Sequence, residues 1–484
     1  LNSNMKNKSL SITLTLILLF SISIPVHAQD STIYPEYIIQ SGDTLIGIAL
    51  MFDVSLDDIL EVNDIADSNE IYPGLRIIIP GYAGISGTIG PVTVGLGESW
   101  QNLMTRFQSD AQMIININHL LNAYSLSPGA SLLIPIQEEG AELSPIAMIN
   151  SGSTLLEQAV QKNANPAQWT LINDRESSID FFPNDVVYSK SSDQPVVNPI
   201  SSKIESFSIS PLPLTQGDTI SITITTSQPM TFEGELNGHP LHFYSSDNTN
   251  YFALQGIHAM ADPGLADFSL KGFSGSDEVF SYQQNIELVS GNFEIDPPLS
   301  VEPEMIDPAF TIPELEKIVA ITSVYTPEKY WDGIFFSPDN DYGTEIANYD
   351  LRKEITSYFG SRRTYNDDPT VTFHSGVDFG GGVGLPIVSS ANGKVVFAGL
   401  LDVRGNTTII DHGLGVYSAY FHQSEISIKV GDVVQKGQQI GKVGNTGRVD
   451  RSNEYAGAGA HLHWEIWVNG VQVNPLDWVN SEYP

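Results

Sequence analysis

His374-Ser-Gly-Val-Asp378 and His461-Leu-His463 bring three histidines and one carboxylate into two short motifs. Two imidazoles and a carboxylate are the ligand set of a catalytic zinc, with a fourth position left for water. Each motif alone is weak, because His and Asp four apart arise by chance and His-x-His is common on a solvated strand face. Both fall inside one glycine-punctuated β pattern with His422 between them, and together they point to a hydrolytic metal site. Residues two apart on a strand share a face. His461, His463 and Glu465 therefore project to one side, and Leu462, Trp464 and Ile466 to the other, where they can pack into a core. One strand can thus present a ligand and a second imidazole to the same groove. Strand periodicity does not place His374 and Asp378; a turn at Gly376 would bring both to one metal.

The elements that must hold these groups are β-rich from Ser357 onward. Ala391-Asn-Gly-Lys-Val-Val-Phe-Ala-Gly399 predicts a turn and a strand, and Val430-Gly-Asp-Val-Val-Gln-Lys-Gly437 a hairpin. The Gly-Asp-x-Val pattern also occurs in lipoyl-type barrels, but those need a carrier lysine at a hairpin tip and no such candidate exists. From roughly Ile355 to Trp478 the text resembles the M23 family of metallopeptidases, the lysostaphin- and LytM-like endopeptidases. Phe359-Gly-Ser-Arg362, the His374 motif, Asp411-His-Gly413, Tyr420-Phe-His422, Gly444-Asn-Thr-Gly447 and His461-Leu-His-Trp-Glu465 carry the resemblance.

The resemblance implies a zinc ion held by His374, Asp378 and His463, catalytic imidazoles at His422 and His461, and cleavage of peptide bonds in the cross-links or stems of bacterial peptidoglycan. Glu465 is either a support for a ligand imidazole or a solvated strand-end carboxylate. His412 has the character of a turn residue, and Tyr365 is either a surface loop tyrosine or one that lines the substrate groove or donates to an oxyanion. The chain departs from the family pattern between Gly447 and His461, where Arg448 to Ala460 is longer than the usual short link and is expected to form part of the groove wall.

The composition narrows the partners. There are 22 basic residues against 57 acidic ones, a formal net charge of -35, which argues against nucleic acid and anionic membranes. Without a cysteine there is no disulfide, thiolate metal site or Cys nucleophile. Lys6 and Lys8, the apolar run Leu10 to Ile24 and Val26-His27-Ala28 together predict a secretory signal peptide over residues 1–28. No other long apolar stretch follows, so the expected mature chain is secreted, associated with the cell wall and free of the membrane.

A repeat precedes the chemistry. Gly42 to Asn63, Gly97 to Asn118 and Gly152 to Asn173 each span 21 positions, and a proline follows 10 later at Pro73, Pro128 and Pro183. The expected unit is β-α-α-β, over 36–81, 88–137 and 144–190. The first unit, with Ser41-Gly-Asp-Thr-Leu45 and Phe52-Asp-Val-Ser55, resembles a LysM module, which implies binding of N-acetylglucosamine glycans such as peptidoglycan. The other two are degenerate. Residues 201–290 alternate in short strands and predict an immunoglobulin-like sandwich. His239, His242 and His258 fall there without a carboxylate at ligand spacing and are expected to be ordinary polar positions. Residues 291–350 are expected to be a linker or arm, with Asp296 to Pro313 rich in proline and acid, before a 351–484 peptidase domain.

The expected fold is thus multidomain, α+β in the repeats and all-β beyond them, ending in an antiparallel β-rich peptidase domain. The expected activity is a secreted zinc endopeptidase that grips peptidoglycan through LysM. Two rival readings are a catalytically silent wall-binding regulator of other hydrolases and a peptidase of extracellular proteins.

Overall fold

The computed structural model describes residues 33–67, 70–120, 126–136, 143–149, 152–182, 185–190, 204–339, 355–366, 368–449 and 459–484. The expected signal peptide lies outside them. Among the described residues, no helix is long and apolar enough to cross a membrane.

The three repeats fold alike. Strand Glu36–Ile38, helices Leu45–Met51 and Leu56–Val62 and strand Arg76–Ile78 make the first. The second runs Thr88–Thr93, Trp100–Phe107, Ala111–Ile117, Ser131–Ile136, and the third Leu143–Met148, Leu155–Gln161, Pro166–Ile172, Val186–Lys190. Thr44 and Ser55 cap the first two helices through their hydroxyls, as their positions predict. The recurring asparagine explains the constant spacing. Asn63 Nδ2 donates to Ile59 O at 2.9 Å and to Ile78 O at 2.8 Å while Oδ1 accepts from Ile78 N at 2.6 Å. Asn118 makes the same three bonds with Ile114 and Leu133, and Asn173 with Trp169 and Tyr188. Each ties the end of a second helix to the closing strand.

Residues 204–290 form two sheets around one core. A three-stranded sheet centred on Thr219–Thr225 faces a five-stranded sheet containing Gly264–Ser274 and Asp277–Val289. Ile220, Ile222 and Ile224 from one meet Phe268, Leu270 and Ile286 from the other. One pair in the larger sheet, Leu214–Thr215 with the end of Asp277–Val289, is parallel. Two β layers are therefore present, but these connections do not by themselves assign the immunoglobulin type.

The C-terminal sheet has its central strands in the order Val377–Gly380, His461–Val468, Val416–Gln423, Gly405–Gly413 and Gly393–Leu401, all antiparallel. Leu462, Trp464 and Ile466 enter the core together with Val377, Phe379 and Tyr420, as strand parity requires. Residues 430–437 do not form a hairpin: Val433–Val434 pairs with Gly393–Leu401, and the following strand Gln439–Lys442 joins a separate small sheet. Part of the expected linker is ordered structure. Ile295 and Leu299 make parallel bridges to Arg362 and Tyr365, and helix Pro308–Thr322 seats Ile318 against Ile409, Tyr417, Phe421 and Trp467 on the sheet face opposite the main core.

The two-sheet region and the C-terminal sheet share a core. Leu254 and Ala259 belong to the same apolar cluster as Trp464 and Trp478. Trp478 Nε1 donates to Thr219 Oγ1 at 3.0 Å, Asn474 N to Gly217 O at 2.8 Å, and Arg362 Nη2 to Ala259 O at 2.7 Å.

Candidate metal centre

Strands Val377–Gly380 and His461–Val468 are paired so that Asp378 stands opposite His463 and Gly380 opposite His461. His374 precedes the first strand, and Gly376 lets the chain turn against its neighbour, because a Cβ there would collide with the Trp464 carbonyl. This packing accounts for the glycine inside the His374 motif.

Three ligand atoms converge. His374 Nε2 is 3.0 Å from Asp378 Oδ1 and 2.9 Å from His463 Nδ1, which is itself 2.7 Å from Asp378 Oδ1. The opposite nitrogens are engaged: His374 Nδ1 faces Tyr358 O at 2.9 Å, and His463 Nε2 faces Glu465 Oε1 at 3.1 Å. If each outer nitrogen carries the proton, the inner ones present lone pairs to one another and to a carboxylate. Three acceptors facing one point repel unless a cation sits among them, so this donor set fits a divalent metal such as zinc. Among the described residues this is the group of histidines and carboxylates close enough to hold an ion.

Glu465 is fully buried, not a solvated strand end. It also accepts from Ser375 Oγ at 2.6 Å and Trp467 Nε1 at 2.7 Å. Burial raises its pKa, but the His463 hydrogen bond and the Arg404 charge outweigh that and hold the carboxyl down at about 2. Desolvation likewise pushes Asp378 up, and His374 and His461 pull it well below the ordinary range.

His422 and His461 face each other beside this cluster, with ring centroids 4.7 Å apart. His422 Nδ1 meets Thr446 O and His461 Nδ1 meets Gly459 O, both at 2.8 Å, so each Nε2 is available to exchange a proton. Burial, reinforced by the neighbouring imidazoles His461 and His463, pushes the His422 pKa well below its ordinary value. By strict alternation His422 would share the core face of Tyr420. The pairing with Gly405–Gly413 slips between Asn406 and Thr408, and His422 has a left-handed φ of 58°. This bulge turns its ring into the groove. No local pattern in the sequence signals it.

His412 lies elsewhere. It sits in strand Gly405–Gly413, not a turn, and is fully buried, with Nδ1 on Asn392 O and Nε2 on Ser418 Oγ, both at 2.7 Å. Burial lowers its pKa to about 4. Tyr365 lines the groove, a cavity of about 530 Å³ that also takes in the five predicted site residues and the segment around Asp296–Val301. The sequence does not signal that segment, because proline and acidic composition does not distinguish a strap bound to a sheet edge from a free linker. Of the extended loop, Arg448, Val449, Gly459 and Ala460 line the groove; residues 450–458 lie outside the described ones.

Residues 372–475 match Peptidase family M23, and residues 37–80 match the LysM domain. The chain carries an M23 peptidase domain and a LysM domain. The peptidoglycan DD-endopeptidase ShyA of Vibrio cholerae is 38% identical over 127 residues, 26% of this chain and 28% of that protein. The DD-carboxypeptidase/endopeptidase Mpg of Neisseria meningitidis is 38% identical over 107 residues, 22% and 23% of the two chains. The matched region thus spans between a fifth and a third of the length of these curated relatives. Among solved structures, a putative peptidase M23 from Pseudomonas aeruginosa aligns with 56% of this chain and 96% of its own at a TM-score of 0.38 and 22% identity.

Proposed function

We propose that this chain is a zinc-dependent endopeptidase that cuts peptide bonds in bacterial peptidoglycan, exported to the wall and held there by its LysM domain. The observation that carries this reading is the convergence of His374 Nε2, Asp378 Oδ1 and His463 Nδ1 within 3.0 Å of one another, beside two further imidazoles. It is supported by the M23 and LysM matches and by relatives named as peptidoglycan endopeptidases.

A zinc ion held by His374, Asp378 and His463 supplies Lewis-acid polarisation of a carbonyl and acidification of water. The protein residues do the rest. Glu465 and the Tyr358 carbonyl hold the tautomers that aim lone pairs inward. His422 and His461, anchored through Nδ1 to backbone carbonyls, present two Nε2 atoms on one side of the cluster. That pair can take the proton of the attacking water and return it to the leaving amine, and once charged it stabilises the oxyanion. Burial keeps His422 neutral at pH 7 and ready to accept. The LysM domain raises the local concentration of the catalyst at its polymer.

Purified peptidoglycan incubated with the chain, with and without a chelator, tests the reading by the appearance of new amino termini. Release that stops with chelator and returns with zinc is expected. Release indifferent to chelator would remove the metal mechanism. No release from any wall chemistry would favour a silent wall-binding regulator.

A further inference from the structure

Three arginines, Arg363, Arg404 and Arg448, line the groove of a chain with only 22 basic residues. Two of them are matched by carboxylates. Arg363 Nε is 2.8 Å from Asp296, and Arg404 Nη1 is 3.0 Å from Glu314. Arg448 makes no ion pair with the described residues. Its Nη1 donates to Met305 O at 3.2 Å, and its guanidinium lies over the Tyr365 ring, 4.9 Å from the centroid. Its backbone N–H, bonded to Val403 O at 2.7 Å, fixes the base of the side chain. A guanidinium carries five N–H donors in a rigid fork that matches a carboxylate, and here one is engaged by a carbonyl. Burial disfavours this charge, and the neighbouring Arg404 and Arg363 add to the penalty. A cation held at this cost in the cavity that also contains the metal cluster is placed to meet an anion that arrives with the substrate.

We propose that Arg448, backed by the Tyr365 ring, binds a free carboxylate of the peptide substrate and selects peptides that carry an acid, not an amide, beside the bond that is cut. The proposal rests on the peptidase reading above. The net charge of -35 disfavours non-specific association of an anionic peptide with the rest of the chain.

The test uses the zinc-loaded full chain and two dye-labelled synthetic cross-linked peptide dimers, one with free carboxyl groups beside the cross-link and one with the same groups converted to carboxamides. The wild type should favour the acid by about 10- to 100-fold in kcat/KM, the worth of a charge-assisted hydrogen bond. Arg448→Gln should reduce the preference to about threefold or less, mainly through KM, and Arg448→Lys should restore part of it, because an ammonium keeps the charge and loses the fork. A preference that survives in Arg448→Gln, or a wild type that cuts both peptides equally, overturns the proposal. Fluorescence anisotropy of the same peptides on the metal-free chain separates the two readings. If the wild type cuts neither peptide, the peptidase reading fails. In that case tighter binding of the acid, lost in Arg448→Gln, still supports the arginine, and equal binding of both peptides overturns it.

Discussion

The five site residues divide into groups that would hold a metal and groups that would move protons, and single substitutions separate the two. His374→Ala and His463→Ala should lose bound zinc. His422→Ala and His461→Ala should keep it and lose hydrolysis by about 10²- to 10⁴-fold, the range for a positioned acid or base. Metal content by elemental analysis beside turnover checks this, and a metal-free His422→Ala protein would reassign that residue as a ligand. Glu465 acts one step removed. Its carboxylate faces His463 Nε2 and would hold the proton there, so Glu465→Gln should weaken zinc affinity by about 10- to 100-fold, measured by chelator competition. An unchanged affinity would leave Glu465 with a packing role through Ser375 and Trp467 alone. The types and order of these residues were legible in sequence. The burial of Glu465 was not, because it depends on Trp467 and on helix Pro308–Thr322, which packs over the strand's outer face.

At the scale of elements, the repeats were legible because each unit reuses one local device. In every copy the asparagine clamp makes one hydrogen bond to the helix carbonyl four residues back and two to the strand residue 15 residues on. Asn173 is buried, and Asn173→Ala leaves Tyr188 N and O without partners. It should destabilise the third unit by about 2–3 kcal/mol, read as faster hydrogen exchange across residues 143–149 and 185–190 with the peptidase domain unaffected. Helix Pro308–Thr322 was illegible for the opposite reason. Its sequence has prolines at both Pro308 and Pro313, and its order comes from contacts distant in the chain. Glu314 accepts from Val403 N at 2.7 Å and from Arg404 N and Nη1 at 3.1 and 3.0 Å. Glu314→Ala leaves the partly buried Arg404 charge and two backbone N–H groups without their acceptor and should cost about 1–3 kcal/mol, measurable by denaturant unfolding. A loss below 1 kcal/mol, within the range of an exposed pair, would mean that the helix is not held by this contact.

For the molecule as a whole, the seam between the two-sheet region and the peptidase domain brings two carboxyls together. Burial, with the charge of Asp218 adding, raises Asp477 to about 7, and burial raises Asp218 as well. A folded-state pKa above the unfolded value means that the folded state prefers the protonated form. The stability this allows is fully present below about pH 4, declines as pH rises toward 7 and is lost above it. The Tm should therefore fall between about pH 4 and 7 and level off above that, and Asp477→Asn should flatten the fall. An identical slope in the variant would place the pH dependence elsewhere.

The sequence by itself determined the candidate site residues, the face shared by His461, His463 and Glu465, and the threefold β-α-α-β repeat, because strand parity and helix capping are local properties of the chain. Tertiary structure alone decided that a bulge turns His422 from the core side into the groove, that the Asp296–Val301 segment becomes a groove wall, and that Arg448 stands among arginines already matched by acids. Each of these depends on which distant segment lies alongside, and neither the spacing nor the composition of the chain carries that information.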